Sequence, residues 1–446
     1  MRIPMPPPAV QDILRDLEQR GRMMEVLRAM GEGDGAADPY LPWDELRHRQ
    51  PPDGLTSEEW WLRVKFTRRG MRRMLPLLDK NSSQFNYTLP DVVLKSIESV
   101  NSSLSGNISL SEQVTNPATR DRYLISSLIE EAITSSQLEG ASTSRLVAKE
   151  MIRTGRAPVD RSEQMILNNF NAMRRVTELR DAEFTPDRIL ELHRIVTEGT
   201  LDEPSAAGRL QHEDEVRVAV YDDGYSQVLH EPPPAVELPE RLDRLCRFAN
   251  GQEDGGYLPP VLRAITSHFM IGYDHPFEDG NGRTARLLFY WSMLKQGYWL
   301  TEFVTISQIL KNAPAKYARS YLHTEQDESD LTYFYIYQLG VLERAIKGLN
   351  EYLKRKMFEV REFQRSLALR PGQFNHRQLS VLEHAVHNPS AQYTAQSHAS
   401  SHNITVETAR QDLLALEHMD LMRKIKIGKA FTWYPIDDLA GALKEL

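Results

Sequence analysis

From Arg120 to about Asn350 apolar residues recur three and four positions apart, as in Leu124 and Leu128, or Ile189, Leu192 and Val196. That spacing lines one face of a helix, whereas a strand would need a period of two. A long run with a single dominant period restricts the chain to a mainly α core. One segment breaks the rule. Val216, Val218 and Val220 alternate with other residues, Asp222-Asp223-Gly224 supplies a turn, Val228 and Leu229 follow, and Pro232-Pro233-Pro234 closes the unit. A short β-hairpin over 216–230 is expected there.

The flanks read differently. Residues 9 to 30 form a broken amphipathic helix, Gly31 to Pro52 a loop, and Thr56 with Glu59 a capping box that opens a helix through Trp60, Trp61 and Phe66. The Ser/Asn-rich run from Glu98 to Asn116 reads as a surface connection. After a break at Pro371-Gly372 come helical patterns over 377–385, 394–400 and 405–419, then a strand pair over 421–427 and 430–434 turning at Gly428-Lys429. Three helices and a wing give the order of a winged helix. The expected division is a helical head over 1–115, a core over 116–355 and a winged-helix domain over 371–446.

Charge and composition exclude several classes. A net charge of -8 argues against coating nucleic acid through a global field. In the tail, Thr408 and Arg410 on the third helix and Arg423, Lys424, Lys426 and Lys429 on the wing leave a local DNA contact open. Glu407, Asp412 and Glu417 on the same helix leave a protein partner equally open. The single cysteine, Cys246, excludes an internal disulfide and a cysteine zinc site. The start, MRIPMPPPAV, has no apolar core of a secretory signal, and the longest apolar run, Leu287 to Leu294, is far too short to span a bilayer. No membrane partner is expected, and the expected compartment is the cytoplasm.

Residues 275 to 286 carry the chemistry: His-Pro-Phe-Glu-Asp-Gly-Asn-Gly-Arg-Thr-Ala-Arg. A Gly-Asn-Gly turn that opens into a helix gathers free N–H groups at the positive end of the helix dipole, a place that binds phosphate. Arg283 and Arg286 lie three apart and can reach one anion. Asp279 is placed to hold a Mg²⁺ ion that phosphates complete, and His275 can take a proton from an attacking hydroxyl. Taken singly, each has an ordinary reading: a packing histidine, a plain turn, two helix arginines paired with nearby carboxylates. Their concentration in one short string is what points to function.

The string resembles the signature of Fic-domain proteins at every position: His275, Phe277, Asp279, Gly280, Asn281, Gly282, Arg283 and Arg286. The resemblance implies an all-α core with one flap hairpin, and transfer of AMP from ATP, the co-substrate, to a Ser, Thr or Tyr hydroxyl of a target protein with Mg²⁺ as cofactor. It implies His275 as the base, Phe277 as the loop's anchor in the core and Asp279 as the metal ligand. Gly280, Asn281 and Gly282 become the anion hole, Arg283 the β-phosphate contact and Arg286 the γ-phosphate contact, with Thr284 among the nucleotide-binding positions. Glycine at 282 leaves the room that AMP transfer needs, where a phosphorylating relative carries lysine.

Upstream, Ser135, Glu139 and Gly140 resemble the family's inhibitory helix motif, here on a helix over about 128–140. Ser135 and Glu139 share one helical face. The resemblance implies a Glu139–Arg286 pair that blocks the γ-phosphate site, a charge-assisted bond worth about 1.5–3 kcal/mol. The hairpin with Val216, Val218 and Val220 resembles the target-binding flap, which pairs with an extended stretch of the target. Tyr317 and Tyr321 fit the adenine pocket or plain core. The head, with Trp43, Trp60 and Trp61, resembles that of bacterial members with a C-terminal winged helix, so a bacterial cytoplasmic protein is expected. Two rivals remain beside a self-inhibited adenylyltransferase. One is a de-AMPylase that uses the same site with Glu139 positioning water, and the other a nucleotide-sensing winged-helix DNA-binding regulator. A donor other than ATP and a homodimer are both compatible with the sequence.

Overall fold

The structure is a computed structural model that describes residues 3–31, 39–52, 54–105, 117–221, 228–252, 256–368, 373–387, 391–427 and 430–445. Two compact units divide the chain, residues 1–347 and 348–446.

The first unit begins with α1 (Val10–Gln19), α2 (Met23–Gly31), α3 (Trp43–Leu46) and α4 (Ser57–Met71). Thr56 opens α4 through the expected capping box: its hydroxyl accepts from the Glu59 N–H at 3.2 Å, and Glu59 Oε2 accepts from the Thr56 N–H at 2.8 Å. Trp43 and Trp61 pack together inside a small core with Ile13, Leu17 and Leu62. Next comes an antiparallel pair that the sequence reading missed, β1 (Arg73–Leu78) with β2 (Gln84–Tyr87). Pro76 argues against a strand by sequence. Leu75, Leu77, Phe85 and Tyr87 are nonetheless all buried, and Phe85 meets Phe269 and Tyr273 edge-on.

The expectation of a surface connection from Glu98 is corrected. Residues 98–104 complete α5 (Asp91–Leu104), which buries Val93, Ile97, Val100 and Leu104 at helical spacing. Serines and asparagines on its outer face masked the apolar stripe. Residues 106–116 lie outside the described residues.

The core then follows: α6 (Pro117–Leu138), α7 (Arg145–Thr154), α8 (Arg161–Glu178), α9 (Pro186–Thr197), β3 (Val220–Tyr221) with β4 (Val228–His230), α10 (Leu238–Ala249), α11 (Pro260–Asp274), α12 (Asn281–Lys295), α13 (Ile306–Lys311), α14 (Pro314–Gln326) and α15 (Thr332–Ala368). Helices α11 and α12 are buried almost all round, as expected of elements at the centre of a helical core. Helix α6 packs on α8 and α13, and α12 on α8 and α9. The short link between α11 and α12 is therefore held from several sides.

The hairpin is smaller than expected. Val220 pairs with His230 and Tyr221 with Val228, while Val216 and Val218 precede the strand and Val216 is 90% exposed. Between them the Arg217 side chain bonds the Pro233 and Asp274 carbonyls, so this stretch is held by side-chain contacts to the core and not by strand pairing. The expected turn at 222–224 lies outside the described residues.

The second unit continues with α16 (His376–His387), α17 (Ala395–His402), α18 (Val406–His418), the antiparallel pair β5 (Met422–Ile427) and β6 (Ala430–Pro435), and α19 (Leu439–Glu445). Leu382, Leu413, Leu416, Leu421 and Trp433 form its core. The breaks read at Pro371-Gly372 and Gly428-Lys429 fall outside the described residues.

Candidate active site

The signature string spans the end of α11, the connecting loop and the first turns of α12. His275 caps α11 in the left-handed conformation, φ 45° and ψ 55°, with its N–H on the Ile271 carbonyl at 3.0 Å. A non-glycine residue adopts that conformation only where its surroundings over-determine it, and such strain gathers at functional sites. Burial above all, then the charges of His230 and Arg217, brings the His275 imidazole down to about 4, so the ring is neutral at physiological pH and able to accept a proton.

Asn281 fixes the loop. Its Oδ1 accepts from the Phe277 N–H at 3.0 Å, and its Nδ2 donates to the Phe277 carbonyl at 2.8 Å and to His275 Nδ1 at 3.2 Å. The two backbone partners dictate which way the amide points. The asparagine side chain of the Gly-Asn-Gly turn is thus a loop clamp, and only backbone N–H groups remain to meet an anion. Phe277 is wholly buried and stacks on His193 at 3.8 Å.

His193, on α9, was not read from the sequence. Its Nδ1 accepts from the Gly208 N–H at 3.0 Å, so its Nε2 carries the proton and donates to the Asp279 carbonyl at 2.9 Å. Burial lowers its pKa to about 4, which keeps it in that neutral tautomer. Nothing in the run Ile-Leu-Glu-Leu-His-Arg-Ile-Val distinguishes it from a packing histidine.

Gly280 takes φ 82°, and a Cβ there would come within 2.7 Å of Thr197 Cγ2, so the tight approach to α9 requires glycine. Asp279 is half-exposed; Oδ1 accepts from the Gly280 N–H at 2.5 Å and Oδ2 from Arg283 Nη2 at 3.2 Å. One accessible carboxylate beside a nest of N–H groups fits Mg²⁺, which takes one or two protein carboxylates and completes its shell with water and phosphate. Among the described residues there is no cluster of three or more acidic, His or Cys ligands.

The two arginines part company. Arg283 is fully buried, with Nη1 on the Val196 carbonyl at 3.0 Å and Nη2 on Asp279. Arg286, also buried, turns to α6: Nε donates to Ser135 Oγ at 2.8 Å, and Nη2 to the Ser135 carbonyl at 3.1 Å and to Glu139 Oε1 at 2.9 Å. Arg283 Nε, Arg286 Nη1 and Thr284 Oγ1 are buried without a hydrogen-bond partner among the described residues. Unpaired buried donors are costly and mark a place prepared for something else.

Ser135 and Glu139 do meet at this site, and Gly140, φ 93°, turns the chain just beyond α6. The Glu139 carboxylate lies so close to the Gly282 backbone that a Cβ at Gly282 would strike its Oε1. A carboxylate therefore sits at the N-terminus of α12. The Tyr317 hydroxyl bonds His268 Nε2 at 2.7 Å and Tyr321 at 3.3 Å, and its electrostatic surroundings include Arg286 and Glu139. Tyr321 stacks on Phe269 at 4.9 Å and fills the space over Gly272, which makes it core.

Comparison with known proteins agrees with this geometry. Residues 183–293 match the Fic/DOC family. The protein adenylyltransferase Fic of Drosophila persimilis is 30% identical over 221 residues, 49% of this chain and 40% of the relative. The protein of the same name from Nematostella vectensis is 30% identical over 171 residues, 37% of this chain and 36% of the relative. The chain thus spans less than half the length of these curated relatives. A Fic family protein from Desulfovibrio desulfuricans, 17% identical, shares the fold with a TM-score of 0.51 over 79% of this chain and 98% of that one. The signature loop and its seat between two central helices lie within the segment, residues 183–293, that matches the Fic/DOC family.

Proposed function

We propose that this protein is a self-inhibited protein adenylyltransferase that moves AMP from ATP to a hydroxyl of a target protein. One observation carries the reading: the Glu139 carboxylate lies against Gly282 and pairs with Arg286, where the N-terminus of α12 and an arginine would otherwise hold phosphate. A carboxylate there mimics the anion it excludes.

In the proposed reaction the neutral His275 ring takes the proton of the target hydroxyl on Nδ1, whose lone pair the Asn281 amide gives up. The freed oxygen attacks the α-phosphorus in line, its new bond forms as the bond to the bridging oxygen breaks, and pyrophosphate leaves. Such a transfer asks little of the protein beyond alignment and charge stabilisation. The backbone N–H groups of 280–282 and the unpaired Nη1 of Arg286 would meet the phosphate oxygens. Arg283 would act mainly by holding Asp279 and the loop. Asp279 would hold Mg²⁺, which when bound supplies neutralisation of phosphate charge. Tyr317 would border the nucleotide base, and the hairpin around Val220 would carry the target.

The test is label transfer from α-labelled ATP with Mg²⁺ to lysate proteins. We expect weak labelling by the wild type, strong labelling by Glu139→Gly and none by Glu139→Gly/His275→Ala. Absence of labelling in all three would overturn the reading. Loss of label from modified protein on adding wild type, but not Glu139→Gly, would identify the reverse reaction as the physiological one.

A further inference from the structure

The hairpin and the catalytic loop are bonded together through four successive main-chain carbonyls. The last carbonyls of a helix have no partner within it, and those at the end of α11 are taken by the hairpin segment. His230 Nε2 donates to the Tyr273 carbonyl at 2.6 Å. Arg217 Nη2 donates to the Asp274 carbonyl at 2.7 Å and the His275 carbonyl at 3.2 Å. The Gln211 N–H donates to the Pro276 carbonyl at 3.0 Å. Arg217 also reaches the segments that flank the hairpin on both sides, with Nε on the Pro233 carbonyl at 2.9 Å and Nη1 on Gln211 Oε1. The second ring nitrogen of His230 faces Glu325 Oε2 at 2.8 Å, which ties β4 to α14.

We propose that Arg217 is a positioning residue that fixes the register of the target-binding hairpin against His275; this rests on the AMP-transfer reading above. A slip of one residue in a paired strand turns every side chain to the opposite face, and so would move a bound hydroxyl away from the base. One planar guanidinium with five fixed donors can hold the carbonyls of 233, 274 and 275 and a side-chain amide together. A lysine, with a single nitrogen, cannot span them. A cation at the C-terminus of α11 is also favoured by the helix dipole. The same contacts hold His275 in its left-handed conformation, where an unsupported residue would relax.

The experiment uses the full chain in the Glu139→Gly background, with Arg217→Ala and Arg217→Lys. Labelling of lysate protein from α-labelled ATP is followed as lysate is titrated, Mg-ATP affinity is measured by calorimetry, and backbone hydrogen exchange is followed by mass spectrometry. Arg217→Ala should lower the labelling ceiling about tenfold or more, as expected for losing several charge-assisted bonds at once. It should leave Mg-ATP affinity unchanged and speed exchange across 228–230 and 275. Arg217→Lys should recover part of the exchange protection and less of the labelling. Unchanged labelling and exchange in Arg217→Ala, or a parallel loss of Mg-ATP binding, would overturn the proposal. If no variant labels any protein, the AMP-transfer reading falls, and the exchange data alone then decide whether Arg217 couples hairpin and loop.

Discussion

His193 and His275 are both held neutral by burial, each with its pKa brought down to about 4. The unfolded chain takes up their protons near pH 6.5 while the folded chain resists until about pH 4, so the unfolded state binds more protons across that window. Stability should therefore fall as pH drops through it, by about 1.4 kcal/mol per pH unit for each such histidine. Urea unfolding of the wild type and of His193→Asn at pH 7 and pH 5 measures the His193 share, and equal pH dependence in the two would refute it. The same lowering at His275 predicts that labelling by Glu139→Gly holds its rate on acidification until the pH nears 4. A rate that halves near pH 6.5 would contradict the neutral base. Phe277→Ala should cost about 3–5 kcal/mol, because it empties a fully buried site stacked on His193.

Helix α6 is the element that would bring the proposed brake, and its hold on the core is itself polar. Glu131, buried one turn before Ser135, accepts from the Ser307 N–H at 3.2 Å and from the Ser307 hydroxyl, and burial raises its pKa. Asn169 Nδ2 donates to the Ala132 carbonyl at 3.3 Å, and Lys311 Nζ to Gln137 Oε1 at 2.6 Å. These contacts tie α6 to α8 and to the segment around α13. Losing the Glu131 contact would leave Ser307 unsatisfied and weaken the docking by about 1–3 kcal/mol. Glu131→Ala in the otherwise wild-type chain should then raise AMP transfer by about fivefold or more, because the released population grows with that free energy. Unchanged transfer would place the whole brake in the Arg286 contacts.

On the scale of the molecule, the chain has two units, residues 1–347, which contain the segment matching the Fic/DOC family, and residues 348–446, which have a core of their own. Among the described residues no helix is long and apolar enough to cross a membrane. On the β5–β6 pair, Arg423 and Lys426 are exposed, while Lys424 pairs with Glu417 at 3.5 Å and lies over the Phe431 and Trp433 rings. We propose DNA phosphate as the contact for the two exposed cations. Fluorescence anisotropy on duplex DNA with the full chain should give an affinity that falls steeply with salt, and Arg423→Ala or Lys426→Ala should each reduce the salt slope by about one. No salt-dependent binding would leave a protein partner as the reading of this unit.

The sequence by itself determined the helical class, the capping box at Thr56, the signature loop and the Ser135–Glu139 pair, because each rests on spacing or on residue type within a few positions. It could not show β1 and β2 around Pro76, or the helix beneath the serines and asparagines of 98–104, because burial there depends on partners distant in the chain. Tertiary structure alone decided that Arg283 and Arg286, three apart, serve different partners, and that Asn281 holds the loop. It also decided that His193, Arg217 and His230 bond the main chain on either side of His275. The physical reason is common to these cases. A buried polar group must find a partner, and which partner it finds depends on the packing of helices far apart in sequence.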